Sequence, residues 1–325
     1  MWYLFKMLSF ILIFGTTHGT FQNRRPVNPE ANMNISQIIS YWGYPDEEYD
    51  ITTEDGYILG LYRIPYGKTN SDNSSAQRLV VYLQHGLLTS ASSWISNLPN
   101  SSLGFLLADA GYDVWMGNSR GTTWSRKHLY LETNSKEFWA FSFDEMAKYD
   151  LPASIDFIVK QTQQEEIFYV GHSQGTTIAF VTFSTIPKIA ERIKIFFALA
   201  PVFSIKYSKS PLIKMAYNWK SVIKLLNSSH LKAFDWGSPV LNLVHFNQTT
   251  SPLYNVANMN VSTATWSGES DLLADPEDVN ILLPEIRNHI YHKTISYYNH
   301  IDFLFGLDVY HQVYHEIIDI IQGNL

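Results

Sequence analysis

The stretch IFYVGHSQGTTIAFVTFS (Ile167–Ser184) constrains this chain more than any other. Its first five residues form a short, continuously apolar run that reads as a buried strand, and TTIAFVTFS continues as a helix. Between them Gly171 and Gly175 bracket Ser173. Residues without a Cβ permit a sharp turn and close packing of helix on strand. The spacing G-x-S-x-G alone arises by chance in about one chain in ten of this length. A strand, a sharp turn and a helix around it are more specific: this is the setting that presents a serine as a nucleophile. The helix N-terminus behind Ser173 also favours negative charge developing there.

The same rhythm extends along the chain. Strands are expected at 78–84, 112–117, 167–171, 195–200, 262–266 and 290–295, and helices at 101–110, 144–161, 174–187, 276–286 and 308–321. Continuously apolar strands alternating with helices imply an α/β protein with a mostly parallel central sheet covered by helices on both faces. Two alternating runs around Glu54-Asp55-Gly56, within Glu47–Gly67, predict a hairpin ahead of it. Residues 20–32, with Pro26 and Pro29, read as an extended arm, and Thr69–Gln77 as a polar loop. The segment 205–261 breaks the rhythm, with no good strand and few strong helical signals.

A nucleophilic serine needs a base, an acid and donors for an oxyanion. On a sheet of this kind acid and histidine follow the serine in that chain order. His289 and His292 fall in or beside the last strand, where a structural histidine is the default. His300, in YYNHIDF, follows that strand at its carboxyl end, the end where such sheets place their sites, and is the expected base. After the preceding strand, TWSGESDLLADPEDV offers three carboxylates. Asp275 precedes Pro276 and suits a helix N-cap, and Asp278 suits the first turn of that helix. Asp271 lies in the loop directly after the strand and is the expected acid, holding the imidazole tautomer. The oxyanion donors expected are the N–H of Gln174, next to the serine, and that of Leu87 in LQHGLLTS.

The N-terminus MWYLFKMLSFILIFGTTHG (residues 1–19) has a lysine, an apolar run too short to span a membrane, and small residues at its end, the pattern of a secretory signal peptide. Six N-x-S/T sequons, at Asn34, Asn73, Asn100, Asn227, Asn247 and Asn260, fit the secretory route as candidate glycosylation sites. With no cysteine the chain has neither disulfides nor metal–thiolate sites. A net charge of −7 and the lack of a basic stripe give no support to nucleic-acid binding.

Taken together, several long stretches carry a resemblance. NMNISQIISYWGYPDEEYDI, YLQHGLLTSASSWISNLPN, GYDVWMGNSRG, FWAFSFDEMAKYDLPASIDFI, YVGHSQGTTIAF and LLADPEDV are similar to segments of the acid lipase family of α/β-hydrolases, the gastric and lysosomal acid lipases. The resemblance implies an α/β-hydrolase fold and the same triad: nucleophile Ser173, acid Asp271 and base His300. It also implies oxyanion donors at Leu87 and Gln174. It implies hydrolysis of water-insoluble carboxylic esters, triacylglycerols or cholesteryl esters, met at an oil–water or membrane interface. No metal and no organic cofactor is implied, and the compartment implied is secreted or lysosomal.

The family inserts a large helical cap after the strand matching IFFALAPV. Here KYSKSPLIKMAYNWKSVIKLLNSSHLKAFDWGSP passes from the beginning of that cap almost directly to its end. The implied organisation is a hydrolase core at 20–204 and 236–325 with a cap remnant at 205–235. Uncovered apolar surface at the site raises an alternative, a catalytically impaired lipase-like secretory or lipid-binding protein.

Overall fold

Five parallel strand pairings run through the computed structural model, which describes residues 28–68, 77–211 and 230–324. Among these residues nine strands form one sheet, ordered β1-β2-β4-β3-β6-β7-β8-β9, with β5 on β2. They are β1 (Glu47–Thr52), β2 (Tyr57–Ile64), β3 (Val80–Gln84), β4 (Asp113–Gly117), β5 (Lys127–His128), β6 (Ile167–His172), β7 (Ile193–Leu199), β8 (Thr263–Gly268) and β9 (His289–Ile295). Only the pairings made by β2 are antiparallel, and β1–β2 is the hairpin expected at 47–67. Each of the six parallel-sheet strands lies within two residues of its expected position.

Every residue of β3, β4, β6 and β8 is buried. Side chains alternate between the two faces of a strand, so complete burial means that both faces are covered, as the unbroken apolar runs require. Leu103–Asp109 packs against β2 and β4, and Leu151–Thr162 against β1 and the helix Gln174–Thr185. That last helix has nine consecutive buried residues, Gly175–Phe183, and forms the centre of the core.

Local departures have local causes. The helix expected at 144–161 widens into a π turn at Met146–Asp150, where the Leu151 N–H reaches back to the Met146 carbonyl. Pro152 lacks an N–H and its ring crowds the Lys148 carbonyl, which a regular helix there would not accommodate. The helix expected at 308–321 likewise contains a π turn at Tyr310–Tyr314 before His315–Gln322.

Two expectations need correction. The segment 205–261 contains a helix, Pro239–Phe246, started by the Ser238 side chain on the Leu241 N–H and ended by Asn247 at φ 56°. Ser-Pro at its start and Asn at its end are ordinary helix boundaries. The chain divides into two units, Met1–Asn34 and Ile35–Leu325. In the described part of the first, Pro29–Asn32 is a 3-10 helix capped by Asn28, where an extended arm was expected. The expected leader 1–19 and the sequons Asn73 and Asn227 lie outside the described residues. No helix among the described residues is long and apolar enough to cross a membrane.

Candidate active site

β6 ends at His172, the helix begins at Gln174, and Ser173 makes the turn between them at φ 54°, ψ −120°. A side-chain-bearing residue in this region carries strain of about 1–3 kcal/mol and persists only where its surroundings hold it. The Ser173 N–H donates to the Leu199 carbonyl at 3.1 Å. The Ser173 carbonyl accepts from the Thr176 N–H at 2.9 Å and from its hydroxyl at 2.6 Å. Gly175 lies against the Gln84 carbonyl, leaving no room for a Cβ.

His300 follows β9 and Asp271 follows β8, and the structure brings both to Ser173. His300 Nε2 stands 2.7 Å from the Ser173 hydroxyl, and His300 Nδ1 stands 2.9 Å from Asp271 Oδ2. The second Asp271 oxygen accepts the Leu273 and Ala274 N–H groups at 2.8 and 2.9 Å. The carboxylate is 1% exposed with three donors, a satisfied arrangement for a buried charge. With Asp271 accepting from Nδ1–H, the lone pair on Nε2 faces the serine hydroxyl.

The competing residues have other work. His289 and His292 both hydrogen-bond the Thr265 hydroxyl, and burial pushes both imidazoles below their ordinary value. Asp275 caps its helix through the Glu277 N–H, and Asp278 accepts the Tyr207 N–H.

Gly86 abuts the serine: a Cβ there would stand 2.7 Å from that of Ser173. The Gly86 carbonyl accepts from the Thr89 hydroxyl at 2.9 Å and from His85 Nδ1–H at 2.8 Å, while His85 Nε2 accepts the Ser119 N–H at 3.1 Å. Carbonyl and N–H point in opposite directions across a trans peptide. Pinning the Gly86 carbonyl therefore fixes the direction of the Leu87 N–H. Neither that N–H nor the Gln174 N–H, first in its helix, meets an acceptor among the described residues. Burial pushes the His85 imidazole down to about 4, so it remains the neutral ring its two partners need.

Sequence reasoning missed His85, His172 and Asn299. Asn299 Oδ1 accepts the His300 N–H at 2.7 Å and the Leu272 N–H at 3.4 Å, joining the loops of base and acid. The available signal was proximity, since His172 and Asn299 directly precede Ser173 and His300, and His85 stands two residues before Leu87. Around this polar centre Leu87, Leu88, Leu272 and Ile301 are exposed. The sequon residues Asn100, Asn247 and Asn260 are exposed as well, and Asn34 belongs to the N-terminal unit.

Residues 35–98 match the family model of the partial alpha/beta-hydrolase lipase region, and residues 80–223 match that of the alpha/beta hydrolase fold. The chain is 68% identical to human lipase member J over 366 aligned positions, covering 90% of this chain and all of that protein. It is 49% identical to human gastric triacylglycerol lipase over 397 positions, covering the whole of both. The chain belongs to the acid lipase family of α/β-hydrolases. An alignment of 397 positions against 325 residues leaves about 72 positions of this acid lipase without a counterpart here. Among solved structures, an esterase from Pyrococcus furiosus superposes with a TM-score of 0.57 at 17% identity, covering 88% of this chain and 95% of that one, a likeness of fold.

Proposed function

We propose that this acid lipase family member is a serine carboxylic ester hydrolase of the triacylglycerol lipase type, with Ser173 as nucleophile, His300 as general base and Asp271 as the acid. The observation that carries the reading is the unbroken relay of two hydrogen bonds, 2.7 and 2.9 Å, from serine to imidazole to buried carboxylate. The Ser173 hydroxyl attacks the ester carbonyl carbon as His300 Nε2 takes its proton. Asp271 stabilises the imidazolium that results. The oxyanion rests on the N–H groups of Leu87 and Gln174 while the tetrahedral adduct expels the alcohol, which takes the proton from His300. Water, deprotonated by His300, then attacks the acyl-serine, and the fatty acid leaves as His300 returns that proton to the Ser173 oxygen.

The exposed Leu87, Leu88, Leu272 and Ile301 support a lipid ester met at an interface as the substrate. Residues 205–235 are the remnant of the cap, and the leader and sequons support a secreted or lysosomal destination. A second reading, a lipase-like protein that binds lipid without useful turnover, is favoured by the about 72 positions that have no counterpart here.

A serine-directed fluorophosphonate applied to the purified, glycosylated protein beside Ser173→Ala separates the two. The expected result is labelling of the parent only, with release of acid from a short-chain ester and weaker hydrolysis of a long-chain emulsion. A folded, monodisperse parent that shows neither labelling nor release supports the second reading.

A further inference from the structure

His172 is a buried imidazole that the mechanism above does not use. It is the last residue of β6, bonded directly to Ser173, and its ring centroid lies 5.1 Å from that of His300. Its Nε2 stands 2.9 Å from the His300 backbone carbonyl. A carbonyl only accepts, so the proton sits on Nε2 and the ring donates. Its Nδ1 is buried and has no partner among the described residues. An apolar side chain would fill this space without stranding a polar atom, so the imidazole is conspicuous for its one donor.

That donor has a specific target. His300 sits in a turn after β9, outside any strand or helix, and its carbonyl meets no other donor among the described residues. The His300 residue is fixed at three other points: its N–H by Asn299, its Nδ1 by Asp271 and its Nε2 by Ser173. Two adjacent residues of one strand end therefore grip it from both sides, Ser173 at the ring and His172 at the backbone. Burial and the neighbouring His300 press the His172 imidazole down to about 3. It thus stays a neutral donor while His300 gains and loses its proton.

We propose that His172 is a positioning residue: its Nε2–H holds the His300 carbonyl and so sets the His300 imidazole at hydrogen-bonding distance from Ser173. The proposal rests on the triad assigned above and adds to it the device that registers base against nucleophile. Its neutral hydrogen bond moves no proton in the reaction.

The test compares His172→Leu, which removes the donor, with His172→Gln, whose amide Nε2 lies near the place of the imidazole Nε2. Parent and Ser173→Ala are carried alongside. For a short-chain ester, His172→Leu should lose about 10- to 100-fold in kcat with KM changed less than about twofold, as misplacement by a fraction of an ångström to an ångström produces. Fluorophosphonate labelling should slow in parallel. His172→Gln should recover most of the kcat, a rescue that packing alone does not explain. If His172→Leu does not fold, His172→Asn replaces it, its amide being too short to reach the carbonyl. A parent that fails to label overturns the triad reading itself. A labelled parent with equal kcat in the Leu and Gln variants, or in Asn and Gln, overturns the role of His172.

Discussion

The loops around Ser173 and the helix Pro239–Phe246 invert each other's chemistry. In the loops the polar groups are inside: Asp271, Ser173, His172 and His85 are all buried, and almost every polar atom among them has a partner. In the helix the apolar groups are outside. Val240 and Val244 are 71% and 74% exposed, Leu241 and Leu243 are exposed, and the buried residue is Asn242. Asn242 bonds Trp236, Asp235 and Thr249 within its own segment, and His245 stacks on Trp236 with ring centroids 3.6 Å apart. The chemistry of the core is self-contained, held by residues of β3, β6, β8 and β9 and the turns that follow them. In the excursion after β7, apolar side chains of this helix lie exposed.

The comparison is broken most severely at Gly86. Gly86→Ala places a methyl group 2.7 Å from the Ser173 Cβ, and the loop must move. Displacing the Leu87 N–H should cost one oxyanion donor, a loss of about 10²- to 10³-fold in kcat. Initial rates on a short-chain ester, with thermal unfolding to confirm the fold, measure it. A variant with parental kcat would show that the Leu87 peptide takes no part in stabilising the oxyanion.

The loops were largely legible in the sequence because chemistry and topology both restrict them. A nucleophile between a strand and a helix, an acid after the next-to-last strand and a base after the last leave few candidates among eleven histidines. Asp275 and Asp278 could be set aside because Pro276 marks a helix start, with Asp275 at its N-cap and Asp278 in its first turn. The bracing residues were not legible. His85 and His172 look like ordinary motif letters, and their roles depend on the Gly86 and His300 carbonyls, set by folding. The helix Pro239–Phe246 was missed for the opposite reason. Its boundaries are plain, but its apolar residues do not face a core, so periodicity read against burial misleads.

The excursion is tied to the helical layer at Asp144, a buried carboxylate that accepts the Phe234 N–H, the Tyr254 hydroxyl and the Ser142 hydroxyl, at 2.8, 2.8 and 2.9 Å. Burial, with the charge of Glu145 adding to it, pushes its carboxyl up to about 6, against the lowering effect of those three donors. A carboxyl raised in the folded state binds its proton more tightly than in the unfolded chain. Its destabilising effect is therefore complete above about pH 6 and fades as pH falls toward the ordinary carboxylate value near 4. Asp144→Asn keeps an acceptor oxygen and removes this titration. Relative to that variant, the parent should gain about 1–3 kcal/mol between pH 7 and pH 4. Paired denaturant unfolding curves across that range check the sign, and a constant difference would remove Asp144 as an acid-strengthened link between core and excursion.

The smallest effect is expected on the solvent face of the helix Pro239–Phe246. Val240 and Val244 stand one helical turn apart, both face solvent, and neither contributes to the relay. Val240→Ser with Val244→Ser should leave stability within about 0.5 kcal/mol, since it removes no buried contact. The kcat on a soluble short-chain ester should stay within about twofold. Binding of a hydrophobic fluorescent dye should fall, because contiguous exposed apolar side chains are what such a dye reports. A loss of stability well beyond that range would mean that the valines are covered in solution, and the contrast between a closed polar site and an open apolar helix would then narrow to the site alone.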